Sequence, residues 1–157
     1  MKKSNGIFKI LVMFLIANLT FAQNNGRFER FKEMKLKFIL ENTELNPTEK
    51  EIFVALFEES ENKYHNEVWL PKRNVRNSLS QAFDTISSES ASRYINDYYR
   101  FEQLGMTLKN DRNQQLLKAI RPKVVLTILY QEKEFDQVMF NRIRNRSREK
   151  EQEKENK

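Results

Sequence analysis

Apolar residues recur along this chain with a helical period, and four amphipathic segments follow from that pattern. From about Arg27 to Glu41, Phe28, Phe31, Phe38 and Ile39 fall on one stripe, while Glu29, Arg30, Lys32, Glu33 and Lys37 fill the other sides. Such a stripe predicts a helix that needs a partner. A polar stretch then ends in Leu45-Asn46-Pro47-Thr48-Glu49. Asn46 can accept a hydrogen bond from an orphan N–H of the first turn, Pro47 suits the first helical position, and Glu49 can reach back to the cap. The second helix starts there and places Ile52, Phe53, Leu56, Phe57, Tyr64 and Val68 on one side, with Glu58, Glu59, Glu61, Asn62 and Lys63 largely on the other. Pro71 interrupts the pattern, since proline removes one backbone bond and crowds the preceding turn. A kink followed by continuation through Val75 and Leu79 is expected.

Serines at 87, 88, 90 and 92 mark the next joint, with a new cap at Ser87 or Ser88. The third helix covers about Glu89 to Lys118 and carries two apolar stripes. Tyr94, Tyr98, Phe101, Leu104 and Leu108 form the wider one, and Ile95, Tyr99 and Met106 the narrower. Two apolar faces imply two partners, one of them the protein's own core. Pro122 starts a fourth helix whose stripe is Val124, Val125, Ile128, Leu129, Phe135, Val138, Met139 and Ile143. From Asn145 onward no apolar residue occurs, so Arg146 to Lys157 is expected to be a charged tail that frays or is disordered.

The first 22 residues have a different character. Lys2, Lys3 and Lys9 precede an apolar run from Ile10 to Ala17, and Thr20 and Ala22 are small residues at the −3 and −1 positions before Gln23. This is the layout of a secretory signal peptide cleaved after Ala22, with an apolar run too short to anchor the chain. The expected organisation is therefore a leader over 1–22, a helical domain over 23–145 and the tail over 146–157. The whole chain of 157 residues has 28 basic and 22 acidic residues, a net +6. Without the three leader lysines the balance is 25 against 22, or +3. Export predicts an envelope compartment, most simply a bacterial periplasm, with no stable membrane insertion after cleavage.

Composition narrows the chemistry. With no cysteine, thiolate nucleophiles, disulfides and cysteine-ligated metals are excluded, and a single histidine excludes a multi-histidine centre. Three glycines leave little material for phosphate-cradling loops or tight β-hairpins. His65 and Glu61 share a helix face at i, i+4 with Glu58 one turn away, which is at most a two-point metal clip and otherwise a surface histidine beside solvating carboxylates. The acidic residues are spread along polar faces in helix-supporting patterns, so no catalytic residue and no cofactor is expected. Arg142, Arg144, Arg146 and Arg148 recur at spacing two, which spreads them around a helix, and Glu149 follows at once. That is a solvated helix end and not a nucleic-acid footprint.

The exported helical chain resembles the Spy/CpxP-like envelope stress proteins, and most closely their short branch labelled sensor of ECF-type sigma factor. The resemblance rests on the helix start Leu45-Asn46-Pro47-Thr48-Glu49 and on Leu117 to Val125 leading into Tyr130-Gln131-Glu132-Lys133-Glu134-Phe135. It covers roughly Phe28 to Ile143. The family's helix-start marker is L-T-x-x-Q; here Leu45 is kept, and Asn46 and Glu49 stand for its Thr and Gln while preserving the capping chemistry. What the resemblance implies is an all-α fold, about four amphipathic helices in elongated antiparallel hairpins, often dimeric. It also implies a non-enzymatic periplasmic function through protein binding. One form is a sensor or modulator of envelope stress signalling that engages a signalling protein. The alternative is an ATP-independent chaperone that holds unfolded envelope proteins. Arg93, Tyr94, Tyr98, Tyr99, Arg100 and Phe101 are the candidate binding surface, because rings offer non-directional apolar contact and arginines attract acidic segments.

Overall fold

Four helical rods make up residues 26–155, which the computed structural model describes, and no strand occurs among the described residues. The leader and its cleavage site lie outside them. Helix α1 spans 26–41. Asn46 then caps α2 (Pro47–Tyr64): its Oδ1 accepts from the Glu49 N–H at 2.9 Å, and its own N–H donates to the Glu49 carboxylate at 3.1 Å. The reciprocal pair expected from Asn46 and Glu49 is thus present, and Leu45 packs its side chain against the core just outside it. Helix α3 (Leu70–Ala82) follows without a break, because one π turn, His65–Trp69, joins it to α2. The Leu70 N–H bonds to the His65 carbonyl, five residues back. A widened turn is how a helix accommodates a proline that can neither donate a bond nor tolerate the carbonyl four residues before it. The helix therefore continues past Pro71 as expected, by a device the sequence does not announce.

A 3-10 turn (Phe83–Thr85) leads to Ser87, whose hydroxyl accepts from the Ser90 N–H and caps α4 (Ser88–Ala119). Extended Ile120 and Pro122 turn the chain into α5 (Pro122–Glu155). The expected disordered tail differs here: α5 runs through Glu155, with residues 141–149 all exposed. Arg, Glu, Gln and Lys are strong helix formers, and extending an existing helix avoids the cost of nucleating one. No described helix is long and apolar enough to cross a membrane.

Pairing is antiparallel between successive rods. Phe28 meets His65 while Lys35 meets Glu61, so α1 runs against α2. Glu49 meets Arg121, Tyr64 meets Gly105 and Lys72 meets Glu102, so the α2–α3 rod runs against α4. Gly105 makes the second of these approaches: a Cβ there would sit 3.0 Å from the Tyr64 ring. The core lies at the end where the α1–α2 and α4–α5 joints meet, and consists of Ile39, Phe53, Phe57, Leu116, Ile120, Val124, Val125 and Ile128. In contrast, α3 has no buried residue at all. The α3–α4 arm is two helices thick, too thin to enclose a core of its own.

Charged positions expected on solvated faces are partly inside. Lys32 is buried and pairs with Glu58 of α2 at 2.6 Å and with Glu29 at 2.9 Å. Lys35 reaches Glu61 at 2.7 Å and Glu132 of α5 at 4.0 Å, and Glu132 holds Arg112 of α4. These residues knit four helices where the amphipathic pattern predicted only solvent.

Glu49 is a further buried carboxylate. It accepts from the Arg121 guanidinium at 2.7 and 2.8 Å while serving the α2 cap. That guanidinium pair, reinforced by backbone N–H groups, lowers its pKa from 4.5 to about 2. Because the folded value lies below the unfolded one, the stabilisation is complete above pH 4.5 and is lost as pH falls towards 2. Urea melts should therefore show wild type losing its advantage over Glu49→Gln across that window. A gap between the two proteins that stays constant with pH would contradict the assignment.

Candidate protein-docking surface

The first half of α4 carries the candidate binding residues, and its pairing with α3 sorts them. Ser87 fixes the start of α4, so the side chains at 94, 95, 98 and 99 recur on the side facing α3 or beside it. Tyr94, Ile95, Tyr98 and Tyr99 line one wall of an open groove of about 620 Å³. Val75 and Leu79 of α3 line the other, and Phe83 closes the end near the 3-10 turn. Phe83 and Tyr99 are 68% and 63% exposed, so these rings are presented to solvent and contribute little to the core. Tyr98 and Tyr99 meet edge to face with ring centroids 6.0 Å apart, which fixes their orientation.

The other three expected residues fall elsewhere. Phe101 is only 7% exposed and belongs to the interior. Arg100 pairs with Asp97 at 3.0 Å and covers the Phe101 ring, while Arg93 donates to the Ser90 hydroxyl. Neither arginine lines the groove. Its cations come from α3 instead: Lys72 bonds to Glu102 and lies 4.3 Å from the Tyr98 ring centroid, and Arg76 stands beside it. The hydrogen bond that Lys72 donates to the Glu102 carboxylate raises the Lys72 pKa, so the ammonium persists at every physiological pH. Lys72, Val75, Arg76 and Leu79 follow Pro71 at spacings of three, one and three, a stripe that reads correctly once the helix is known to continue.

Comparison with family models, with curated proteins and with solved structures finds no match for this chain. The groove offers a long apolar floor, rings at its edge and two cations on one side.

His65 and Glu61 do not form an open pair. His65 is 5% exposed, stacked on Phe28 at 3.8 Å and on Trp69 at 5.0 Å, and is not the surface residue that its polar neighbours suggested. Burial pushes its pKa down, which favours the neutral imidazole. Glu61 is committed to Lys35. No group of three or more His, Cys, Asp or Glu suited to a metal occurs among the described residues.

Proposed function

We propose that this chain is an exported, non-enzymatic protein-binding module of the Spy/CpxP-like kind, acting in the periplasm as a sensor or modulator of envelope stress signalling. The observation that carries the reading is the exposed apolar groove on the α3–α4 arm, where rings stand free of any core that would need them. An apolar segment flanked by acidic residues suits it: the rings take the apolar part, and Lys72 and Arg76 face the acids. A soluble protein rarely leaves a large apolar patch open without a partner for it.

The second reading is an ATP-independent chaperone for unfolded envelope proteins. It is favoured by the groove's lack of directional polar partners, since apolar contact alone discriminates weakly among clients. Two experiments separate the readings. Suppression of light scattering by an aggregating client without ATP selects the chaperone; tight capture of one envelope signalling protein with no effect on generic clients selects the sensor. In both cases Ile95→Ser/Tyr99→Ser should weaken binding about tenfold or more, while stability shifts by only about 0.5 kcal/mol because both positions are exposed. Arg93→Glu/Arg100→Glu should have the smaller effect, since those arginines lie off the groove. Binding unaffected by the Ile95 and Tyr99 substitutions would overturn the proposal.

A further inference from the structure

We infer that the chain has a second site, independent of the α3–α4 groove: a cavity between α1 and the π turn that takes an amphiphilic anion, a carboxylate on a small aromatic body. The cavity measures about 460 Å³. That lies within the roughly 300–1,000 Å³ of small-ligand sites, which are largely apolar with a few convergent polar groups. The π turn builds one wall. It brings Trp69 against His65 with ring planes 18° apart, and Phe28 of α1 stacks on His65 at 14°. Phe31 and Tyr64 complete an enclosure of five rings drawn from two helices. Single π turns inside α-helices occur frequently at functional sites, and this one supplies both His65 and Trp69 to the lining.

Charge decides what such an enclosure accepts. Rings alone would suit an ammonium ion. Here, however, the Arg73 guanidinium lies 5.3 Å from the Trp69 ring centroid and already takes the place a cation would want. The single carboxylate in the lining, Glu61, is held by Lys35 at 2.7 Å. Arg27 stands on the rim from α1, and among the described residues neither it nor Arg73 is in an ion pair. His65 adds no negative charge, and its ring, stacked with Phe28 and Trp69 and with Nε2 buried without a hydrogen-bond partner, serves as part of the wall. An incoming cation would meet two arginines and no free acid. A carboxylate meets two guanidinium forks, whose planar donors match its oxygens, while its aromatic body lies among the rings.

Trp69 is the chain's one tryptophan and lines the cavity, so its fluorescence reports occupancy directly. Titrating the protein with phenylbutanoate should give a saturable change in Trp69 emission, and saturation should raise the melting temperature because the ligand bridges α1 to the α2–α3 rod. In Arg27→Gln/Arg73→Gln, checked for retained helix by circular dichroism, the dissociation constant should rise roughly tenfold or more, the loss expected when charge-assisted bonds to the carboxylate are removed. Ile95→Ser/Tyr99→Ser should bind phenylbutanoate as wild type does, which keeps this result separate from the fate of the docking groove. Neutral phenylbutanamide and cationic phenylbutylammonium should not saturate. The site is overturned if phenylbutanoate fails to saturate in the millimolar range, if the arginine variant binds it unchanged, or if the ammonium compound binds as well.

Discussion

Arg112→Leu should lower the free energy of unfolding by about 3 kcal/mol, the low end of what is lost when one partner of a buried ion pair is removed. Arg112 is 5% exposed and grips Glu132 through both terminal nitrogens at 2.7 and 2.8 Å, with Asn113 accepting from the same guanidinium. Leucine would leave the Glu132 carboxylate inside with Lys35 at 4.0 Å as its remaining cation. That contact, and the residual solvent access of Glu132, keep the loss from being larger. Arg112→Leu/Glu132→Leu should recover most of the stability, because an apolar pair of similar volume has no stranded charge to desolvate. Urea unfolding of wild type, both single variants and the double variant closes the cycle. A double variant as weak as Arg112→Leu would show that the loss comes from packing and not from the charge.

The same network marks the limit of what the sequence discloses. Asn46, Ser87 and Pro122 are local signals whose chemistry works within three or four residues, and each helix begins where they place it. The apolar stripes likewise identify Phe53, Phe57 and Ile128 as interior. Lys32, Glu61 and Arg112 escaped that logic, because a charged residue on a polar-looking face is solvated or paired according to where another helix crosses it. That crossing is a tertiary fact. His65 was hidden for the same reason: its wall is Phe28, thirty-seven positions earlier, and a π turn that shifts the phase of the wheel. The candidate docking surface was half legible. Its tyrosines were readable from periodicity, whereas the cations came from α3 once the helix had passed Pro71, and Arg93 and Arg100 turned out to have local partners.

Two phenylalanines that look alike in sequence should behave in opposite ways. Phe57 is 0% exposed and packs on Phe53 with centroids 5.7 Å apart, so Phe57→Ala should cost about 4 kcal/mol from lost burial and the cavity left behind. Phe83, at the end of the groove near the 3-10 turn, should lose no more than about 0.5 kcal/mol on the same truncation, since nothing collapses around an exposed ring. Its effect belongs to binding: Phe83→Ala should weaken capture of an apolar client or partner while its denaturation curve overlays that of wild type. Phe57→Ala, measured well below its unfolding midpoint, should bind as wild type does, because the groove lies on the arm and the cavity lies in the core. Should Phe83→Ala unfold as easily as Phe57→Ala, the groove would be part of the interior and its availability to a partner would be lost as an argument. The separation follows from thickness: four helices meeting at one end can surround a ring, and two helices forming an arm can only display it.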